Sequence, residues 1–243
     1  MEAHEEMWMD HLVELRKRAI RVLIFFVVIL AGAFTFVPQI LDFIRLTSSS
    51  VDVDLNVFNI TDPLLLHFKV ASIVAFALTF PYLIIQLWLF IRPGLNKKER
   101  RFVYKYIPMI FILFFLGIAF AYLVLVPYYV MFSQRLAGNT DMTILMGANK
   151  YIDFISKMLL YFGLVFQMPV LVLVLSYIGI ISSGLLISIR KYAYFALLVA
   201  SAFITPPDPV SMGIALVPLG FLYETSILLC KMNERKKDRK AKL

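Results

Sequence analysis

Six runs of this chain are apolar over lengths that cross, or nearly cross, a lipid bilayer: residues 22–37, 64–91, 102–126, 151–181, 192–204 and 210–229. A spanning helix needs about 20 mostly apolar residues, because the hydrocarbon core is ~30 Å thick and each helical residue rises ~1.5 Å. Hydrocarbon offers no partner to a backbone N–H or C=O, so each run must satisfy its own polar groups and is predicted to be a helix. The expected fold is therefore all-α, a polytopic membrane protein of six transmembrane helices. Composition closes the soluble alternative. Hydrophobic residues make up 61% and charged residues 16%, against roughly 25% charged in a soluble domain, too few to cover a water-facing surface. Disorder is excluded by the same apolarity.

The whole of 1–243 reads as a single integral membrane domain, with an amphipathic N-terminus over 1–21 and a basic tail over 230–243. Residues 1–21 are too charged for a signal peptide, and no small-residue cleavage pattern follows the first run, which is expected to be retained. Pro38 and Pro127 are expected to close the first and third helices. Pro81, Pro108, Pro169 and Pro218 lie inside the second, third, fourth and sixth runs, which predicts kinked helices framing a concave scaffold. The fourth run is long, so tilt or an extramembrane first turn carrying Asp153 and Lys157 is expected. The fifth run has only 13 residues, about 20 Å of helix. With the turn Thr205-Pro206-Pro207-Asp208-Pro209 behind it, it predicts a short helical hairpin in a thinned bilayer.

The charges orient the chain. There are 24 Lys and Arg against 16 Asp and Glu, a net charge of +8. Six crossings place both termini and the even-numbered loops on one side, and that side then carries 19 of the 24 cations. The other five are Arg45, Lys69, Arg135, Lys150 and Lys157. The positive-inside rule puts both termini in the cytoplasm. The basic balance thus reads as topology, not as an affinity for nucleic acid. The tail beyond Cys230 reads as a topogenic anchor or a contact to anionic lipid.

The residues of bond-breaking chemistry do not assemble. Cys230 is the one cysteine, and His4, His11 and His67 are scattered. Neither a disulfide nor a metal site is expected. There is no phosphate-binding GxxxxGK[ST] loop, GxSxG elbow or HExxH helix; His4-Glu5 begins like the last, but Trp8 stands where the second ligand would be. No catalytic residue, metal or cofactor is expected, and the chain does not read as an enzyme. Polar groups inside hydrocarbon are costly, which singles out Gln167 and Glu224.

Several motifs then fall in order: HLVELRKR at 11–18, FPYLIIQLWLFIRPGL at 80–95, KERR at 98–101, FAY at 120–122, FG at 162–163, FQMP at 166–169 and TPPD at 205–208. Together, over nearly the whole chain, they closely resemble the TatC family, the largest core subunit of the twin-arginine protein translocase. The resemblance implies a receptor for the twin-arginine signal peptides of folded cargo, in a bacterial-type inner membrane. It implies work with the single-span subunits TatA and TatB, driven by the protonmotive force without nucleotide hydrolysis; self-association is left open. It implies that Glu14 and Glu99 recognise the arginine pair, with Arg16 and Phe90 near that surface. Asp208 matches the family's outer-turn acid and Glu224 an acid of the sixth helix. Gln167 stands where the family usually has a buried Glu; an amide hydrogen-bonds but cannot ionise, and this position reads as a polar spot for a partner helix.

The same residues have plainer readings beside these. Glu14 and Arg18 are spaced i,i+4 and can pair with each other. Glu99 sits among Lys97, Lys98, Arg100 and Arg101, where a surface ion pair is the default. His11, Leu12 and Leu15 share a helical face with Trp8 nearby, as in an interfacial helix. Asp208 can simply form the turn, and Glu224 can snorkel or pair with a basic loop. Two other functions compete. A secondary transporter would frame a solute with Gln167 and the kinked helices, and predicts an internal repeat, of which the sequence has no clear sign. An intramembrane enzyme lacks its residues.

Overall fold

The computed structural model describes residues 2–48, 55–91, 96–138, 146–204 and 209–241. The described residues are helical apart from their connections and one short parallel pairing, β1 (Leu55–Asn56) with β2 (Met146–Gly147). They form two compact units, 1–100 with 141–156, and 101–140 with 157–243.

The first unit is built on α1 (Glu2–Ser48) and α2 (Asp62–Ile91). Helix α1 does not end at Pro38 as expected; it continues ten residues further, to Ser48. Proline removes one backbone donor and clashes with one carbonyl, whereas fraying a helix in hydrocarbon would expose several polar groups at once. Continuing through the proline is the smaller cost. Ala33, Val37 and Ile44 of α1 and Val70, Ala71 and Ala75 of α2 are buried. The three alanines among them let two helices approach closely where lipid gives no hydrophobic drive. The Phe25 and Tyr82 rings pack with centroids 4.6 Å apart, and those of Phe34 and Phe68 lie at 6.3 Å. At the start of α2 the Asp62 carboxylate accepts the N–H groups of Phe58 and Asn59 at 3.1 and 2.9 Å, fixing the entry of the chain. Helix α5 (Ala148–Val165) begins in this unit. Asp153, in its second turn, accepts Lys69 Nζ from α2 at 2.8 and 2.9 Å.

The second unit begins within α3 (Lys97–Phe120), at Arg101; the helix passes through a π-helical turn (Ala121–Leu125) into α4 (Val126–Gly138). The expected stop at Pro127 is absent. The wide turn just before it, with Val126 N–H bonded back to Ala121 O, shifts the register and absorbs the ring. The fourth apolar run is interrupted instead. Helix α5 ends at Val165, Phe166 and Gln167 form a turn, and α6 (Met168–Ile178) follows with proline in its first turn. Pro169 has no N–H to continue the ladder, and Gln167 N–H takes the tighter bond to Leu164 O at 3.0 Å. Here α3 and α5 meet through glycine: a Cβ on Gly117 would lie 2.6 Å from Phe162 O, and one on Gly163 would lie 2.8 Å from the Phe114 ring. Gly179, at φ +92°, ends α6. Then come α7 (Ser183–Ser188), α8 (Arg190–Ile204) and α9 (Pro209–Ala241).

Among the described residues five segments are long and apolar enough to cross a membrane: Leu12–Ile44, Asp62–Ile91, Tyr104–Gly138, Ala148–Ile178 and Met212–Lys236. Helix α8, with 15 residues, is about 22 Å long and is shorter than that standard.

Candidate functional site

The first unit carries a polar chain at the end of an apolar groove. The spacing of Glu14 and Arg18 puts both on one face of α1, and they pair: Arg18 Nε and Nη2 both converge on Glu14 Oε1, the former at 3.1 Å. The i,i+4 pairing expected from the sequence is present. A third partner was not foreseen. Arg18 Nη1 also donates to Gln86 Oε1 at 3.3 Å, across to α2. Gln86 Nε2 donates in turn to Tyr82 Oη at 2.8 Å, one turn back along α2. Gln86 is a buried amide in the apolar stretch 80–91. A lone amide in such a stretch is the signal that marks it, because a buried polar side chain must find a partner.

This chain borders a groove of about 470 Å³ between α1 and α2. Its walls are Leu15, Ala19, Val22, Leu23 and Phe26 on one helix and Phe76, Phe80, Leu83, Leu87 and Phe90 on the other, with Arg18, Gln86 and Thr79 as the polar members. The Thr79 hydroxyl oxygen is buried and has no hydrogen-bond partner. The Arg18 side chain is 16% exposed and that of Glu14 35%, so the pair is partly desolvated, where charge-assisted bonds gain strength over their exposed equivalents.

Of the residues marked in the sequence, the structure brings Glu14 and Phe90 to this groove, Glu14 through Arg18 and Phe90 as part of the wall. Arg16 lies about 200° around α1 from Glu14 at ~100° per residue and is exposed. Glu99 belongs to the first turn of α3, with its side chain outside the described part of the structure. Asp208 lies outside the described residues.

The second unit holds the two intramembrane polar residues apart. Gln167 Nε2 donates to the Ile110 carbonyl of α3 at 3.2 Å, while its Oε1 is buried without a partner. Glu224 of α9 pairs with Arg190 Nη2 at 2.8 Å and accepts the Tyr194 hydroxyl at 3.2 Å, both from α8. Glu224 therefore pairs with a cation in the first turn of α8. The sequence reading missed Glu234, which accepts the Ser183 N–H at 2.8 Å and the Ser183 hydroxyl, tying α9 to the start of α7. Among the described residues no three His, Cys, Asp or Glu side chains group as metal ligands would.

The family model described as Sec-independent protein translocase protein (TatC) matches residues 10–218. The Sec-independent protein translocase protein TatCy of Bacillus subtilis (strain 168) is 40% identical over 236 residues, covering 97% of this chain and 93% of the relative. The TatC protein of Halalkalibacterium halodurans is 39% identical over 235 residues, with the same coverages of 97% and 93%. The crystal structure of a twin-arginine translocase receptor, TatC, superposes with a TM-score of 0.82 at 32% identity, covering 92% of this chain and 99% of the other. With sequence and fold agreeing along almost its full length, this chain belongs to the TatC family of Sec-independent protein translocase proteins.

Proposed function

We propose that this chain is the receptor and core subunit of a twin-arginine translocase, binding the twin-arginine signal peptides of folded cargo at its cytoplasmic face. The observation that carries the reading is the half-buried Glu14 carboxylate beside an apolar groove, holding a guanidinium in place. Such a carboxylate suits a cationic ligand whose planar N–H groups can converge on it, and the groove suits apolar residues beside the charge. Glu99 supplies the second acid and Phe90 walls the groove, while Arg16 stands exposed on the other side of α1. The chain works with TatA and TatB, driven by the protonmotive force. It sits as one integral membrane domain in a bacterial-type inner membrane, with six crossings and both termini cytoplasmic. Gln167 and Glu224 are the polar points at which partner helices dock, and Asp208 shapes the outer turn.

Peptide binding to the detergent-solubilised full chain tests the receptor reading. A twin-arginine peptide should bind, and its Lys-Lys version should bind at least about tenfold more weakly, as should the twin-arginine peptide to Glu14→Ala or Glu99→Ala. Equal affinity for the two peptides removes the receptor reading. The role of Gln167 is tested with Gln167→Glu by measuring transport and crosslinking to TatA and TatB; unchanged behaviour in both sinks it.

A further inference from the structure

Glu14 is occupied by a guanidinium of the chain's own. Arg18 directs two N–H groups at one Glu14 oxygen and a third at Gln86, which Tyr82 holds in turn. An i,i+4 pair on a free helix would sample many geometries. This one is pinned from α2, 68 positions away in sequence, and its side chain is only 16% exposed, whereas the neighbouring Arg16, Lys17 and Arg21 are exposed. Arg18 is thus set apart from the surface cations of its own helix.

We propose that Arg18 is a built-in competitor for Glu14 that sets the affinity threshold of the peptide site. The inference rests on the receptor reading above. An incoming peptide must displace two converging N–H groups from the carboxylate. A guanidinium replaces them in kind. An ammonium is a strongly hydrated point charge with no planar fork, so it recovers less of that cost. The cost of displacing Arg18 is the same for both ligands, so competition leaves their ratio at the carboxylate's own preference and raises the threshold that each must clear. On displacement Arg18 keeps the Gln86 carboxamide as an acceptor, and its aliphatic stem stays along the groove it lines. Specificity is the difference between the two affinities, and the common threshold decides which ligand binds at a given concentration.

The experiment uses the full chain in detergent and labelled Arg-Arg and Lys-Lys peptides, with dissociation constants measured for the wild type, Arg18→Gln, Arg18→Lys and Glu14→Ala. Arg18→Gln should bind the Arg-Arg peptide about fivefold more tightly, the scale of one ion pair at a partly exposed site, and the Lys-Lys peptide more tightly by a similar factor. Arg18→Lys keeps the charge but loses the fork, so it separates competition from general repulsion of a cationic ligand; it should tighten binding less. Arg-Arg affinity at or below the wild-type level in both Arg18 variants overturns the inference while leaving the receptor reading intact provided Glu14→Ala weakens binding. Wild-type affinity in Glu14→Ala removes the receptor reading, and the inference with it.

Discussion

At the residue scale, close packing makes glycine the residue that matters at two positions and dispensable at a third. A Cβ on Gly117 would stand 2.6 Å from a backbone oxygen and 2.9 Å from the Phe166 side chain. Backbone cannot rotate out of the way, so Gly117→Ala should destabilise the fold by about 1–3 kcal/mol, the cost of overpacking. Gly32, in the middle of α1, has nothing within 4 Å of its ideal Cβ, and Gly32→Ala should stabilise by about 0.5–1 kcal/mol through helix propensity and a less flexible unfolded chain. Thermal unfolding in detergent reads both: a fall in Tm for the first, a rise for the second. Equal shifts in the two would mean that the α3–α5 contact is not close. The same scale divides what could be read in advance. The Glu14–Arg18 pair follows from spacing along one helix. Gln86 as their partner does not, because it depends on the register of α1 against α2, which side-chain packing decides. Gly117 and Gly163 face the same limit: a glycine in an apolar run marks a close approach or nothing, and only its neighbour says which.

At the scale of elements, prolines were the least legible feature. Each proline inside an apolar run or at its end reads as a stop or a kink from its own chemistry, yet the outcome depends on its surroundings. Helix α1 runs through Pro38, α4 takes up Pro127 just after a π-helical turn, and Pro169 coincides with a break. That break falls where Phe166 packs against α3 and the Gln167 side chain donates to the Ile110 carbonyl, so contacts to α3 hold the broken turn in place. The connection between α6 and α8 depends on a similar outside partner. Glu234 accepts both the N–H and the hydroxyl of Ser183, and the Ser182 hydroxyl caps α7 by accepting the Leu185 N–H at 3.2 Å. Glu234→Ala should leave the Ser183 N–H without its acceptor, at a cost of about 1–3 kcal/mol. Amide exchange should accelerate across 182–186 and remain near its original rate across 215–224, the α9 stretch ahead of the Arg190–Glu224 pair. Uniform acceleration through α9 would show that Glu234 supports the helix as a whole and not this connection.

At the scale of the whole molecule the number of crossings turns on α8. Among the described residues five segments meet the length and hydropathy of a full span and α8 is short of it, yet counting charges favours six. If α8 does not cross, α9 reverses direction and the seven cations of the tail change sides, leaving 12 Lys and Arg on each side. A chain of this kind is oriented by its cation asymmetry, and 12 against 12 would orient nothing, whereas 19 against 5 does. A short crossing is tolerable where the bilayer thins, at fractions of a kcal/mol per Å of mismatch. Cysteine labelling decides between the two. The native Cys230 is buried and bonded to Ser176 at 3.1 Å, so Cys230→Ser keeps a hydroxyl in place of the thiol and provides a cysteine-free background. Ile60 in the connection before α2, Val210 at the start of α9 and Met232 near its described end are all exposed. In intact spheroplasts a membrane-impermeant maleimide should reach Ile60→Cys and Val210→Cys, and should reach Met232→Cys only after permeabilisation. Val210→Cys and Met232→Cys exchanging their behaviour would give five crossings and place the basic tail outside. That outcome would also put the end of α9 on the opposite side of the membrane from Glu14, separating the tail from the face proposed to receive the signal peptide.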